Sequence, residues 1–258
     1  MTGRGWAGAA AAALALAAAG AAQAADEEIQ VYMDEIGPPH RAGLDVHLNY
    51  VPDGRTLADY PGEQSSEGRT RVTPEWSYAL NPDLELGLYL PLMTVSRGGT
   101  FRAGGVKGRV KWIAPRAQGQ DWFWGANFEI GRVARDLDLN PWNAELKGIV
   151  GLRKGRWTLG GNLNIDWVVS GPQHGPVEFQ VAAKAAYRLD EATQIGLESY
   201  NGLGGGSSFG KLSRQDHQTY LVLDRSLGPW DLNLGVGRGY GQPEDRWILK
   251  TVVGVPIS

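Results

Sequence analysis

Residues 157 to 169 alternate between apolar and polar or small side chains almost without interruption. The odd positions hold Trp157, Leu159, Leu163, Ile165, Trp167 and Val169. The even positions hold Thr158, Gly160, Asn162, Asn164 and Asp166. A period of two predicts a β-strand with one apolar face and one polar face. Because the tryptophans lie toward the ends of the run, the pattern is typical of a strand with lipid on one side and water on the other.

The first 24 residues have the layout of a secretory signal peptide. Arg4 gives a basic start, residues 7–19 form an apolar run, and Ala22-Gln23-Ala24 places small residues before a cleavage point at Ala25. A membrane-spanning helix needs about 20 apolar residues, and this run is shorter. Residues 1–24 are therefore predicted to be removed on export.

The composition of the remaining chain fits an exported β-rich protein. The full chain has 37 glycines, 10 tryptophans (one of them, Trp6, in the predicted signal) and no cysteine. An exported chain without disulfides needs another source of stability, such as a closed hydrogen-bonded sheet. After the signal, no stretch of 18 apolar residues predicts a transmembrane helix. The net charge of -3 and the absence of a basic block argue against nucleic acid as a partner.

Twelve segments have the length and alternation of membrane-spanning strands. They are residues 42–50, 70–80, 83–94, 103–113, 121–132, 141–153, 156–169, 176–189, 193–203, 216–226, 229–240 and 246–257. Mostly short connections alternate with longer polar ones, which is the arrangement of periplasmic turns and external loops in outer-membrane barrels. The predicted fold is all-β: a single antiparallel transmembrane barrel of about 12 strands, residues 41–258, in the outer membrane of a Gram-negative bacterium. Residues 25–40 are too acidic and proline-rich for a spanning strand, and are predicted to form a periplasmic segment or a plug.

The aromatic residues fall into two groups that this topology places at opposite rims. The predicted periplasmic rim holds Trp112, Trp122, Trp124, Trp157, Tyr187 and Trp230. The predicted external rim holds Tyr50, Trp142, Trp167, Tyr240 and Trp247. Two aromatic belts are expected where a barrel meets the two membrane interfaces, with outer-membrane lipid as a partner. A soluble β-sandwich would instead bury its tryptophans between the sheets.

The opposite parity assigns many charged and polar side chains to the lumen. The residues predicted to line the pore are Asp45, His47, Glu85, Tyr89, Lys107, Arg109, Lys111, Glu129, Glu145, Lys147, Lys184, Glu198 and Tyr200. Folding the hairpins about their turns predicts ion pairs of Lys107 with Glu129 and of Lys184 with Glu198. It also brings Glu85 near Lys111. Two interpretations stay open: a structural network that fills a narrow barrel, or a charged constriction that selects solutes.

Signals for enzymatic or metal chemistry are sparse, and no enzyme activity, cofactor or metal is expected. The four histidines have no paired spacing, and Asp45 with His47 offers only two ligands. Ser199, Asn201 and His217 share the outward parity on neighbouring strands near the external rim. Outer-membrane phospholipase A is also a twelve-stranded barrel with Ser, His and Asn on its outer surface, but its His and Ser lie on one strand. Acyl hydrolysis is therefore kept only as an alternative.

Several stretches resemble a family of uncharacterised Gram-negative outer-membrane β-barrel proteins. They are EIQVYMDEIGPPHRAGLDVHLNYVPDG, TPEWSYAL, LELGLYLPL and WGANFEI. The family is similar, more distantly, to the MetA-like barrels encoded with phenol-degradation genes. The resemblance implies an outer-membrane barrel and carries no catalytic residues. The barrel-assembly machinery is an expected partner, although the chain ends in Val255-Pro256-Ile257-Ser258 and not in the aromatic residue that such barrels often present to it.

The sequence thus predicts a narrow passive channel for small polar or aromatic solutes. Polar residues on the inner face, together with Tyr89 and Tyr200 as rings on which a solute can stack, are the basis of this expectation. The alternatives are a closed structural barrel without transport and a lipid-facing acyl hydrolase resembling outer-membrane phospholipase A.

Overall fold

A computed structural model describes residues 28–206, 209, 215–241 and 245–257, and every regular element in this part of the chain is a β-strand. The strands are β1 Ala42–Asp53, β2 Thr70–Asn81, β3 Leu84–Tyr89, β4 Met93–Val95, β5 Phe101–Ala103, β6 Val106–Ile113, β7 Trp122–Arg132, β8 Trp142–Lys154, β9 Trp157–Ser170, β10 Glu178–Arg188, β11 Thr193–Gly204, β12 Asp216–Leu227, β13 Trp230–Gly241 and β14 Trp247–Val255.

The sheet is closed and antiparallel. β1 pairs with β2 on one side and with β14 on the other, so that the last strand returns to the first. β3 and β4 lie one after the other against β2, and β5 and β6 continue the next position in the same way. The fourteen elements therefore occupy twelve strand positions, which confirms the predicted twelve-stranded barrel.

The two predicted strands 83–94 and 103–113 are each interrupted, which corrects the expectation of continuous strands. The first breaks after Tyr89, where Pro91 has no N–H to donate to the ladder. The second breaks at Gly104-Gly105, where Gly105 has a φ of 94° that other residues rarely adopt. The breaks face each other, because β4 pairs with β5 while β3 pairs with β6.

Side-chain burial alternates along the strands as the sequence pattern predicts. On β7, the outward-facing Trp122 is 51% exposed and its neighbour Phe123 is fully buried. The outer face carries leucine, valine and tryptophan, whereas the inner face carries most of the buried charged residues. An apolar exterior around a sheet whose backbone groups are paired all the way round is the arrangement required of a membrane-spanning sheet.

Two hairpin turns use glycine in the left-handed region. The turn between β8 and β9 has Gly155 with a φ of 61°, and the turn between β12 and β13 has Gly228 with a φ of 62°. Pro229 follows Gly228, and its ring fixes φ near −65°, as the second position of a type II′ turn requires. Such two-residue turns match the twist of the strands and set their register.

Aromatic side chains occupy both rims of the barrel. Trp112 packs edge-on against Trp124 at 5.1 Å between ring centroids, and Trp157 against Tyr187 at 5.0 Å. At the opposite rim, the guanidinium of Arg238 lies 4.9 Å from the ring centroid of Trp247. None of the described residues belongs to a helix long and apolar enough to cross a bilayer.

Candidate functional site in the barrel lumen

The residues that the sequence predicts to line the pore lie at inward-facing strand positions. Nine of the thirteen are buried: His47, Glu85, Tyr89, Arg109, Lys111, Glu129, Lys147, Glu198 and Tyr200. The other four are partly buried: Asp45, Lys107, Glu145 and Lys184. Alternation thus collects this set of charges in the interior, where each must find a partner.

Two of the predicted ion pairs are present. Lys107 on β6 lies 3.1 Å from Glu129 on β7, and Lys184 on β10 lies 3.2 Å from Glu198 on β11. Lys184 is also 2.9 Å from Asp224 on β12. Glu198 in turn pairs with Lys250 on β14. The pairs connect strands around the wall, so the inner face is a network and not a set of isolated charges.

Arg109 takes the place that the sequence assigns to Lys111. Its guanidinium donates to Glu75 Oε1 at 2.5 Å through Nε and to Glu85 Oε1 at 2.8 Å through Nη2. Although Lys111 is directly opposite Glu85 in register, its Nζ donates to the backbone carbonyl of Glu35 at 2.7 Å. The longer, forked guanidinium can bridge two carboxylates at once, which a lysine ammonium does less well.

The segment 28–37 lies inside the barrel. At its centre, Tyr32 forms two backbone hydrogen bonds with the side chain of Asn162 on β9, at 2.7 Å and 2.9 Å. The Tyr32 hydroxyl donates to Glu129 Oε1 at 2.9 Å and lies 2.6 Å from the Tyr89 hydroxyl. Tyr32 therefore contacts β9 through its main chain and β7 and β3 through its hydroxyl group.

Three cations surround the ring of Tyr32. The Nζ of Lys147 lies 4.0 Å from the ring centroid, the Nζ of Lys111 lies 5.3 Å from it, and the Arg109 guanidinium carbon 5.8 Å. Cations over an aromatic face are attracted by its quadrupole, most strongly where water is excluded. Lys147, Lys111 and Arg109 thus contact the segment in addition to their acidic neighbours on the wall.

Apolar residues of the segment pack against the wall at a glycine, where no wall side chain projects inward. Met33 and Val31 lie over Gly160 of β9, where an added Cβ would lie 2.2 Å from Met33 Sδ. Ile29, Val31 and Met33 belong to one buried cluster with wall residues of several strands. The wall residues of this cluster include Ile113, Phe123, Ile149, Ala182, Tyr200, Tyr220, Val222 and Ile248. Apolar and charged side chains therefore share the same strands inside the lumen, as Phe123 and Glu129 do on β7 and Ile149 and Lys147 on β8.

A pair of arginines holds the segment where it approaches the first strand. Arg153 Nε donates to Asp34 Oδ1 at 2.8 Å, and Arg116 donates to Asp34 Oδ2 at 2.5 Å. Arg153 also pairs with Glu35. Burial opposes ionisation of Asp34, but the hydrogen bond and charge of Arg153 outweigh it and lower the pKa of this carboxyl. Asp34 is thus held as a carboxylate between two guanidinium groups.

Glu28 begins the described chain and lacks one hydrogen-bond donor. The groups Glu28, Tyr89, Tyr32 and Glu129 form a chain of three contacts, of 3.0, 2.6 and 2.9 Å, with two hydroxyl protons between them. Filling all three contacts needs one further proton, which Glu28 carries when its carboxyl group is protonated. Burial, followed by the charges of Glu129 and Glu75, raises the pKa of Glu28 to about 7.

Tyr89 and Tyr200, which the sequence predicts to stack on a solute, are both occupied by contacts within the protein. Tyr89 is 1% exposed, and its hydroxyl contacts Tyr32 and Glu28. The Tyr200 ring packs edge-on against Tyr220 at 5.5 Å, and its hydroxyl donates to Glu198 at 2.7 Å. A solute can reach these rings only after the segment has moved.

Solved structures of outer-membrane barrels have the same fold. An outer membrane channel from Pseudomonas putida F1 matches with a TM-score of 0.58 and 14% identity, over 88% of this chain and 99% of that chain. The NanC porin matches with a TM-score of 0.58 and 8% identity over 83% and 100%. The KdgM porin in complex with disordered oligogalacturonate matches with a TM-score of 0.57 and 8% identity over 84% and 99%. No protein-family model and no curated protein matches the chain.

The chain is an outer-membrane β-barrel. The closed sheet, the apolar exterior and the two aromatic rims require a membrane on their own grounds. The likeness to solved barrels agrees in strand arrangement over more than four fifths of this chain. At these identities the likeness concerns the fold alone, so the chemistry of the lumen has to be argued from its own residues.

Ser199, Asn201 and His217 meet on the outer surface, but in the wrong order for a catalytic triad. The Asn201 side chain donates to Ser199 Oγ at 3.0 Å, and its oxygen lies 2.9 Å from His217 Nδ1. No hydrogen bond joins Ser199 to His217 within the described residues. A hydrolase needs the histidine on the nucleophile and the amide behind the histidine, whereas here the amide lies between them. His217 also stacks on Tyr240 with 5.4 Å between centroids.

Sequence reasoning missed the residues that hold the segment. Tyr32, Asp34 and Arg116 lie outside the strands, where parity assigns no face, and Arg153 has the inward parity near the end of β8 but is absent from the predicted pore-lining set. One signal was available: Ile29, Val31 and Met33 alternate along an otherwise acidic stretch, a pattern of chain with one apolar face. That alternation does not show which surface of the protein buries these three residues.

Proposed function

We propose that this barrel is a passive channel for small polar or aromatic solutes, and that the docked segment 28–37 occupies its path. The observation that carries the proposal is the way the lumen is filled. A chain segment held by side-chain hydrogen bonds and ion pairs fills it, and not the strand side chains alone. Contacts of this kind are individually weak and reversible, so the polar wall behind them can be uncovered.

The relatives in fold support transport without naming the solute. The KdgM porin was solved with oligogalacturonate, and the other two barrels are named as a porin and a channel. The sequence resemblance to barrels encoded with phenol-degradation genes adds small aromatic compounds as a class to test. A wall in which charged and apolar side chains lie on the same strands suits solutes that carry both a ring and a polar group.

The paired charges support weak ion selectivity. Lys107 and Arg109 each pair with a carboxylate, so the basic stripe on β6 has little uncompensated charge. Replacing Lys107, Arg109 and Lys111 together by glutamine should shift the reversal potential toward cations, because the acidic partners are then left alone. An unchanged reversal potential in a conducting variant would remove these three residues from the solute path.

The solute class can be tested by liposome swelling. A refolded variant that lacks residues 28–37, and therefore has an uncovered lumen, is placed in liposomes and given small sugars, benzoate-type aromatic acids and larger oligosaccharides at equal osmolarity. We expect the fastest entry for small solutes with a ring or several hydroxyl groups, and none for the largest. Liposomes with heat-unfolded protein serve as the control. Protein that is well folded and admits none of the solutes would contradict the proposal and favour a closed structural barrel.

A further inference from the structure

Three potential metal ligands from separate parts of the chain meet inside the barrel. Glu28 belongs to the docked segment, His47 to β1 and Glu75 to β2. One ligand atom from each residue lies within 4.8 Å of the others. His47 is fully buried and Glu75 is 3% exposed, so the cluster lies away from bulk water.

Two atoms of this cluster have no partner. Among the described residues, Glu28 Oε1 and His47 Nδ1 are buried without a hydrogen bond. Leaving a buried polar atom unpaired costs about 1–3 kcal/mol, so the unpaired carboxylate oxygen of Glu28 needs an explanation, and a metal ion at this oxygen supplies one.

The local charges favour a cation. Glu75 and Glu85 share the single guanidinium of Arg109. Asp45 lies directly opposite Glu75 in register, and Glu28 adds another carboxylate. The positive groups nearest to these carboxylates are Arg109, His47, Lys111 and Lys147, and of these Lys111 donates to Glu35 and Lys147 pairs with Glu145. A divalent ion bound here adds positive charge directly at the carboxylates.

The geometry suits a first-row transition ion. His47 Nε2 lies 2.9 Å from Glu75 Oε2, while Glu75 Oε1 is occupied by Arg109. Two ligands of one tetrahedral Zn²⁺ are about 3.3 Å apart, given metal–ligand distances of about 2.0–2.1 Å. A small approach of the Glu28 carboxylate would supply the third ligand, and water can supply the fourth. One imidazole with two carboxylates is a set that Zn²⁺ accepts.

We propose that Glu28, His47 and Glu75 form a Zn²⁺-class metal site that ties the docked segment to the barrel wall. His47 and Glu75 belong to neighbouring strands and stay fixed, whereas Glu28 moves with the segment. The bound ion therefore stabilises the docked arrangement and adds a metal dependence to it. No spacing motif predicts this site, because its ligands are 19 and 28 residues apart along the chain (28 to 47, 47 to 75).

The test is a calorimetric titration of refolded, EDTA-treated full-length protein with ZnCl₂. We expect one ion per chain, and an affinity at least tenfold weaker in Glu28→Gln and in His47→Gln. Glu28 lies outside the sheet, so Glu28→Gln leaves the barrel able to fold; heat-modifiable migration in electrophoresis checks this for each variant. His174→Gln, which removes an exposed loop histidine, is the matched control and should bind as the wild type does.

Three results would overturn the proposal. They are no saturable binding by folded wild type, binding that survives both ligand substitutions, and equal loss in the His174 control. The proposal is independent of transport, since the titration measures no flux. A barrel that binds zinc without conducting would leave the site standing and reject the channel, and a zinc-free conducting barrel would do the reverse.

Discussion

At the scale of single residues, Tyr32 makes the largest number of distinct contacts between the segment and the wall. Its main chain is held by Asn162, its hydroxyl by Glu129, and its ring lies among three cations. Hydrogen bonds to charged groups contribute about 1.5–3 kcal/mol, and a desolvated cation–π contact about 2 kcal/mol. Docking should therefore depend on this side chain more than on its exposed neighbours.

Replacing Tyr32 by alanine should release the segment. The substitution removes the hydroxyl and the ring while the main-chain bonds to Asn162 remain possible. Losing about 1.4 kcal/mol raises the open population tenfold, so amide hydrogen exchange in residues 28–37 should accelerate at least that much. Gln30→Ala, at an exposed position two residues away, is the control. Equal exchange in wild type and Tyr32→Ala would show that the ring does not hold the segment.

Asp34 should give docking a dependence on acid pH. Its pKa in the docked state is below the ordinary value of 3.8, so its contribution is fully present above that value and is lost as the pH falls through the lowered pKa. Asp34→Asn should weaken docking by about 1.5–3 kcal/mol at pH 7. The difference between variant and wild type should shrink below the ordinary pKa and disappear below the lowered one.

The pH effect of Asp34 can be followed with a dye on Gln30→Cys, since the chain has no other cysteine. We expect lower fluorescence anisotropy in the Asp34→Asn background at pH 7 and equal values in strong acid. Equal anisotropy of the two proteins at pH 7 would mean that the arginine pair does not fix the segment.

Individual residues also show what strand parity can predict. Parity correctly placed Lys107 beside Glu129 and Lys184 beside Glu198, because both pairs follow from strand register. It paired Glu85 with Lys111, although Arg109 takes that carboxylate. Register fixes backbone neighbours, but a long forked side chain can reach past its direct neighbour, and a segment outside the sheet can draw a lysine away.

At the scale of structural elements, the segment and β9 fit each other where the strand has no side chain. Gly160 faces inward under Met33, and its neighbour Gly161 faces outward with only ordinary contacts. Gly161, which interrupts the apolar outer face, and Gly160, on the polar inner face, thus have different roles. Only Gly160 provides room for the segment.

Gly160→Val should expel the segment without opening the barrel. The new side chain would overlap Met33, whose Sδ lies 2.2 Å from the position of an added Cβ. We expect fast amide exchange in residues 28–37, with exchange in the strands unchanged. Met33→Ala in the same chain should restore part of the protection, because it removes the overlapping atoms. Gly161→Val is the matched control, and an effect there as large as at Gly160 would contradict the account.

The elements themselves were the most predictable part of the molecule. A period of two, short turns and aromatic ends recur in each strand, and they led to strand bounds within a few residues of those observed. The two breaks near Pro91 and Gly105 were missed. Proline and glycine can occur at an edge or a bulge of a strand without ending it, so alternation alone does not show where the ladder stops. The sequence also left two placements open for residues 28–37, a periplasmic segment or a plug, because the pattern of a segment outside the sheet does not show what it contacts.

At the scale of the whole molecule, the barrel has two unlike ends. The loops 54–69, between β1 and β2, and 171–177, between β9 and β10, lie at one end, and the connection 114–121 joins β6 to β7 at the other. The loop 54–69 is twice as long as the connection 114–121. Longer loops of outer-membrane barrels face outward, so we expect an epitope inserted at 173–175 to bind antibody on intact cells. An epitope after Gly119 should bind only after permeabilisation. Antibody binding on intact cells after Gly119 and not at 173–175 would mean that the barrel has the opposite orientation in the membrane.

The most direct test of the central claim compares single-channel currents of full-length protein and of a variant that lacks residues 28–37, both refolded and checked for heat-modifiable migration. We expect little or no conductance from the full-length barrel and clear, stable steps from the shortened one, because the segment fills the polar lumen. Absence of conductance in both proteins would show that the wall side chains close the barrel by themselves. Equal conductance in both would show that the segment does not lie in the solute path.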